Sequence, residues 1–73
     1  MRKKTLEYMN KNQLVEIIYM SYDGTMTKRH VKVYKVDEQY FRGYCFLRGS
    51  VRTFKYNHVL ALVPLINRES MVV

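Results

Sequence analysis

Arginines alternate with aromatic rings in residues 40–55, which read YFRGYCFLRGSVRTFK. This segment contains Arg42, Arg48, Arg52 and Lys55, but no aspartate or glutamate. A guanidinium group is a planar fork that binds phosphate through two parallel hydrogen bonds and stacks on nucleic-acid bases. Tyrosine rings offer stacking platforms to bases with little sequence preference. The segment therefore indicates binding of a nucleic acid or a nucleotide-like anion.

Other chemistry has little support in the sequence. Asp37 and Glu38 are adjacent, so on a strand they point apart and cannot form a catalytic carboxylate pair. His30 and His58 are too few and too widely separated for a metal site. Cys45 has no orienting third group and no glycine-rich oxyanion turn near it. We therefore expect a protein that is not an enzyme and that has no metal ion and no cofactor.

The whole chain is small and basic. Its 73 residues include 13 Lys and Arg, six Asp and Glu and one cysteine, for a formal net charge of +7. This charge either favours an anionic partner, such as nucleic acid, nucleotide or anionic lipid, or only keeps the protein soluble. The N-terminal segment lacks the apolar stretch of a signal peptide, and the longest apolar run, residues 59–66, is too short to span a bilayer. We expect one soluble domain, residues 1–73, in the cytoplasm, with no membrane partner.

One short helix is predicted at the N-terminus. The segment KKTLEYMNKNQ, residues 3–13, places Leu6 and Met9 on one side, with Thr5 as a weak N-cap. The asparagines near its end are poor helix formers, so we expect about two turns.

Five antiparallel strands are predicted after the helix. Segments rich in β-branched and aromatic residues are separated by turns such as Asp23-Gly24 and Arg48-Gly49-Ser50. The predicted strands are residues 14–22, 26–36, 40–47, 51–55 and 59–63, with a 3₁₀ turn at residues 56–58. Five short strands in meander order bury their apolar faces by curling into a small SH3-like or Sm-like barrel. Pro64 ends the last strand, and residues 64–73 form a C-terminal tail.

Alternation along the strands predicts the core. In the third strand, Tyr40, Arg42 and Tyr44 share one side, which is at least partly exposed to solvent. Gly43, on the other side, marks a bend or a close approach of another backbone. The predicted core consists of Phe41, Cys45, Leu47, Phe54, Ile17 or Ile18, and Leu60 or Leu62.

Two strands conflict with regular alternation. In the fourth strand, Arg52 and Phe54 fall on the same side, so either Arg52 lies at the mouth of the barrel or a bulge separates the two residues. In the second strand, Val33 and Val36 cannot both face the core of a regular strand. A strongly bent second strand would resolve this conflict.

The pattern resembles the WYL domain, a bacterial module with an Sm-like barrel that is usually found in transcription regulators. The matching positions are IIY ending at Tyr19, Gly24, Arg29, Val31, Val33, Gln39-Tyr40-Phe41, Gly43-Tyr44-Cys45, Arg48, Arg52-Thr53-Phe54 and His58-Val59. The resemblance covers roughly residues 14–63. Gln39 stands in place of the family's tryptophan, Val33 in place of its proline and His58 in place of its last arginine. The usual helix-turn-helix domain ahead of the barrel is absent from the sequence.

This resemblance implies a ligand-sensing module whose leading ligands are anions derived from nucleic acid. The candidate binding residues are Arg29, Tyr40, Tyr44, Arg48 and Arg52. We expect a single-stranded nucleic acid or a nucleotide in a regulatory role, because no helix is available to enter a major groove.

Purely structural roles remain open for the same residues. The two tyrosines can cover the edge of the core with their hydroxyls in water, Arg48 can be a solvated turn residue, and Arg52 can pair with Glu16 or Asp37. The alternative function is a module for protein–protein interaction or self-association. It would form a homo-oligomer or dock on a larger protein through a barrel edge and the apolar tail at residues 71–73.

Overall fold

One helix and a five-stranded antiparallel sheet form the described part of the chain. The computed structural model describes residues 1–65, and the predicted apolar tail at residues 71–73 lies outside them. The elements in chain order are α1 (Arg2–Asn10), β1 (Leu14–Met20), β2 (Met26–Val36), β3 (Tyr40–Cys45), β4 (Ser50–Lys55), a 3₁₀ helix (Tyr56–His58) and β5 (Val59–Pro64). The predicted mainly β fold, with one short helix ahead of five strands, is confirmed.

The strands are arranged in the order β4-β3-β2-β1-β5. Strands β1 to β4 form a meander, and the 3₁₀ helix redirects the chain so that β5 pairs with β1. Within residues 1–65 no pairing joins β4 to β5, so closure of the sheet into a barrel stays a prediction.

The core covers one face of the sheet, which we call the inner face. Its buried residues are Val15, Ile17, Val31, Val33, Phe41, Cys45, Phe54 and Val59. The rings of the cross-strand partners Phe41 and Phe54 have their centroids 5.4 Å apart. Tyr8 and Met9 of α1 pack against this cluster, so the helix covers part of the inner face.

Most of the predicted core is confirmed. Phe41, Cys45 and Phe54 are buried, as is Ile17, the first of its two alternatives. Leu47 was wrongly placed in the core and is 60% exposed. The reason is that β3 ends at Cys45 and residues 46–49 form a turn, so that strand alternation no longer applies there.

The helix differs from its prediction in two details. It begins at Arg2, so Thr5 is not an N-cap; its hydroxyl donates a hydrogen bond to the Met1 carbonyl at 2.8 Å. Thr5 is buried, and Leu6 is exposed whereas Met9 packs on the core, so the two residues predicted on one side differ in burial. The buried side of the helix is set by Thr5, Tyr8 and Met9, which recur at helical spacing.

A bulge explains the irregular alternation of β2. The register between β2 and β3 shifts between Val33 and Lys35, which leaves Tyr34 as an extra, exposed residue. The extra residue brings Val36 opposite Phe41, so both valines reach the inner face.

Gly43 lies where β2 and β3 approach each other closely. A Cβ atom at this position would lie 2.6 Å from the Lys32 carbonyl oxygen and 2.6 Å from the Val31 Cγ1 atom. The predicted close approach of another backbone is therefore confirmed.

Candidate anion-binding site

Arg29 of β2 lies on the inner face with only 6% of its surface exposed. Its Nε donates a hydrogen bond to the Thr27 hydroxyl at 3.0 Å. Its guanidinium carbon lies 5.5 Å from the centre of the Tyr19 ring and 5.9 Å from that of Phe54. Within residues 1–65 no carboxylate pairs with it. Burial of a charge is unfavourable unless the charge is compensated, so an anionic ligand would offset this cost, and the guanidinium nitrogens other than Nε remain as donors for it.

A cleft brings Arg29 together with two further arginines. Arg52 shares the face of Phe54, because the ladder between β3 and β4 has no register shift. Arg48 comes from the turn between these strands. All three arginines line one cleft of about 380 Å³, a volume in the range of small-ligand sites. The sequence left two alternatives for Arg52, a position at the mouth of the barrel or a bulge between Arg52 and Phe54. Because the ladder contains no bulge, the first alternative is favoured.

The cleft is strongly positive. Arg29, Arg48, Arg52 and Lys55 line it, and no aspartate or glutamate of residues 1–65 does, so the lining carries four positive charges against none. Four cations around one cleft repel one another, and a bound anion would relieve this repulsion.

Structural pairing does not account for Arg52. Glu16 and Asp37 are the two carboxylates that the sequence offered as partners of Arg52, but each lies beside another basic side chain. Glu16 is 3.2 Å from His30, and Asp37 is 3.8 Å from Lys35. In the part of the chain that the structure describes, Arg52 has no ion pair.

Aromatic rings form one wall of the cleft. The Tyr19 ring packs edge-on against Phe54 at 5.2 Å, and the His58 ring lies 5.9 Å from Tyr19. The Tyr22 ring lies 6.4 Å from His58 and is fully exposed. The rings therefore run from the core to the mouth of the cleft. There, Tyr22 and His58 can stack on a base.

The turn between β1 and β2 holds Tyr22 at this mouth. The carboxylate of Asp23 accepts hydrogen bonds from the Ser21 hydroxyl at 2.6 Å and from the Thr25 backbone N–H at 3.0 Å. These hydrogen bonds, the one from Ser21 first, lower the pKa of Asp23 to about 2. Gly24 has a φ of 87°, which only glycine adopts readily.

The two predicted tyrosines lie away from the cleft. Tyr40 and Tyr44 alternate with buried residues of β3, so they lie with Arg42 on the opposite face, which we call the outer face. Both are partly buried, and the Tyr44 ring packs edge-on against Phe46 at 4.9 Å. The structure thus groups the three predicted arginines and places the two tyrosines on the other side of the sheet.

Sequence reasoning missed most of the other residues that line the cleft, among them Tyr22, Lys55 and His58. A signal existed for His58, because it stands at a position where the WYL pattern has an arginine. No such signal marked Tyr22, which follows a strand and precedes the Asp23-Gly24 turn like any solvated turn residue.

The described residues give no sign of two other kinds of site. Within residues 1–65 no three His, Cys, Asp or Glu side chains come together in a way that could hold a metal ion. In the same range no helix has the length and apolarity needed to cross a membrane. The thiol of Cys45 is buried in the core.

The fold and the cleft define a small β-sheet domain with a positively charged cleft. The family model of the WYL domain matches residues 3–64, so the chain belongs to the WYL domain family. Among solved structures it is similar to proteasome accessory factor B/C (PafBC) of Arthrobacter aurescens, with a TM-score of 0.75 and 24% sequence identity. The match covers 89% of this chain and 11% of that one, and at this identity it shows the fold alone. No curated protein matches the sequence.

Proposed function

We propose that this chain is a non-catalytic ligand-binding domain with a regulatory role, and that it binds a phosphate-bearing ligand in the cleft. The ligand class is a nucleotide or a single-stranded nucleic acid. The observation that carries this proposal is Arg29: a buried guanidinium without a carboxylate partner in residues 1–65, in a cleft that two more arginines line.

Each group of the cleft has a distinct part in this binding. Arg29 lies deepest, and the hydrogen bond to Thr27 leaves its outer nitrogens for a phosphate group. Arg48 and Arg52 approach from the turn and from β4, where they add charge and further donors. The rings of Tyr22 and His58 offer a stacking surface to a base at the mouth.

Cleft size supports a single strand over a duplex. A volume of about 380 Å³ accommodates a nucleotide unit, whereas a duplex is read by a helix or ribbon that enters its groove. The α-helix of residues 1–65 is nine residues long and packs on the core through Tyr8 and Met9.

Composition of the cleft supports binding without catalysis. A histidine that acts as a general base is usually oriented by a third group, often a carboxylate. No carboxylate of residues 1–65 lines the cleft around His58, and the only thiol, Cys45, is buried in the core. A regulatory role fits the WYL family, whose members usually occur in regulators.

Binding of oligonucleotides and nucleotides at two salt concentrations tests the proposal. We expect affinity to fall steeply with salt, because each phosphate contact releases counterions. Arg48→Ala and Arg52→Ala should each weaken binding and reduce the salt slope by about one phosphate contact. Lys3→Ala, on the exposed side of α1, is the matched control and should change neither. Binding that is insensitive to salt, or that survives loss of both arginines, would refute the proposal.

A second candidate function is association through the β5 edge. In the sheet of residues 1–65, β5 is an edge strand; it contains no charged residue and exposes Leu60 and Val63. An apolar edge of this kind can pair with a strand of another chain. Self-association that does not change with salt, together with no binding of nucleic acid, would favour this candidate. Leu60→Lys should then abolish the association.

A further inference from the structure

A second group of cations and rings lies on the outer face of β2, β3 and β4. We call it the outer patch, and its members are Lys32, Lys35, Tyr40, Arg42, Tyr44 and Lys55. Across the strand pairs, Tyr44 lies opposite Lys32 and Tyr40 lies opposite Lys55. Directly opposed residues of antiparallel strands point to the same side with Cβ atoms about 5 Å apart. Each tyrosine of the outer patch therefore has a lysine beside it.

The charges of the outer patch are mostly uncompensated. Of its four cations, Lys35 pairs with Asp37 at 3.8 Å, and Lys55 is shared with the cleft. Within residues 1–65, Lys32, Arg42 and Lys55 have no ion pair. Arg42 is exposed, midway between the two tyrosines. Proteins hold single strands by combining cations along the phosphate backbone with rings on which the bases stack.

Strand β4 connects the outer patch to the cleft. Thr53 and Lys55 line the cleft, yet their partners on β3 are Arg42 and Tyr40 of the outer patch. This is possible because β4 is an edge of the sheet in residues 1–65. The two surfaces thus meet at the β4 edge.

We propose that a single strand of nucleic acid leaves the cleft over the β4 edge at Lys55 and continues along the outer patch. Tyr40 and Tyr44 would stack on its bases, and Arg42 and Lys32 would contact its phosphates. This inference rests on the proposed function of the cleft and specifies its ligand. The preferred ligand is a single-stranded polynucleotide several nucleotides long, and a mononucleotide occupies only the cleft.

Stacking on tyrosine selects a single strand. In a duplex the base faces are covered by neighbouring bases, so only an unpaired strand can present them to a ring. Tyr40 and Tyr44 are four residues apart on one strand, roughly 13 Å, and Arg42 lies between them. This length gives room for more than one nucleotide beyond the cleft.

The test compares 5′-phosphorylated thymidine oligonucleotides of two and ten residues, labelled at the 3′ end, by fluorescence anisotropy. We expect the decamer to bind at least tenfold more tightly than the dimer. Tyr44→Ala should weaken decamer binding by about 5- to 150-fold and leave dimer binding unchanged. Tyr44→Phe, which keeps the ring, should retain most of the affinity. Arg42→Ala should reduce the dependence of decamer affinity on salt concentration by about one phosphate contact, and it should leave that of the dimer unchanged.

The outcomes separate this inference from the function on which it rests. If Arg52→Ala weakens both oligonucleotides but Tyr44→Ala and Arg42→Ala weaken neither, the cleft binds phosphate and the outer path is wrong. If the unaltered chain binds neither oligonucleotide, both proposals fall. Equal binding of dimer and decamer by the unaltered chain would also overturn the outer path. Because Arg42 is exposed, its substitution reports on binding even if Tyr44→Ala proves unstable.

Discussion

Replacing Arg29 by methionine should abolish ligand binding without destabilising the fold. Methionine keeps an unbranched chain between the rings of Tyr19 and Phe54, but it removes the charge. If Arg29 served the fold alone, its loss should destabilise the protein. If it serves a ligand, the empty protein should tolerate the loss.

The magnitude follows from the surroundings of the guanidinium. The substitution removes two cation–π contacts of about 0.5–2 kcal/mol each and one hydrogen bond to Thr27 of about 1 kcal/mol. It also removes a desolvation penalty of several kcal/mol for a buried charge. It also removes the repulsion between this charge and the other cations that line the cleft. These contributions nearly cancel, so we expect a stability within about 1 kcal/mol of that of the unaltered protein.

Urea unfolding followed by circular dichroism, with and without inorganic phosphate, measures both parts of this prediction. Phosphate should stabilise the unaltered protein, because a ligand that binds only the folded state shifts the unfolding equilibrium. It should not stabilise Arg29→Met. Arg29→Lys is the control for charge without the planar fork, and it should retain part of the effect. A loss of about 3 kcal/mol or more in Arg29→Met, with the phosphate effect intact, would refute the reasoning.

Two further predictions concern the fold that supports the site. Gly43→Ala should destabilise the protein by about 1–3 kcal/mol, because the added methyl group would lie 2.6 Å from the Lys32 carbonyl oxygen. Thermal unfolding measures this change. An unchanged stability would contradict the prediction. The pKa of Asp23 is lowered from 3.8 to about 2, so its contribution to the Tyr22 turn is complete above about pH 4 and is lost as the pH falls towards 2. The Thr25 amide resonance should titrate over this range, and Asp23→Asn should abolish the transition.

The order of the elements was predictable because its signals are local. Turns with glycine at positive φ, at Gly24 and Gly49, separate segments of β-branched residues. The end of β3 was not predictable from such signals. Leu47 continues the alternation in the sequence, but the Gly49 N–H donates to the Cys45 carbonyl and closes a turn there. The hydrogen bond, and not the apolar pattern, ends the strand.

The candidate site was predictable only in part, for a similar reason. The sequence contains two conflicts with alternation, one at Arg52 and one in β2, and they have different physical solutions. In β2 the extra residue Tyr34 brings Val36 back to the inner face. Strand β4 keeps a regular register, so Arg52 lies on the same face as Phe54. Nothing local distinguishes these outcomes, because register is set by pairing with the neighbouring strand. Lys55 likewise lines the cleft only because β4 is an edge strand of the sheet in residues 1–65.

The energetics of the cleft indicate how the proposed ligand would act on so small a domain. A domain of this size is only marginally stable, so the free energy of binding one ligand is a large fraction of its total stability. The groups that a bound phosphate would join come from β2, from the turn after β3 and from β4, at Arg29, Arg48 and Arg52. A ligand that neutralises this cleft therefore strengthens the sheet at three places at once, and its binding free energy adds directly to folding. Occupied and empty states would differ most at the β4 edge, where the proposed path of the strand leaves the cleft.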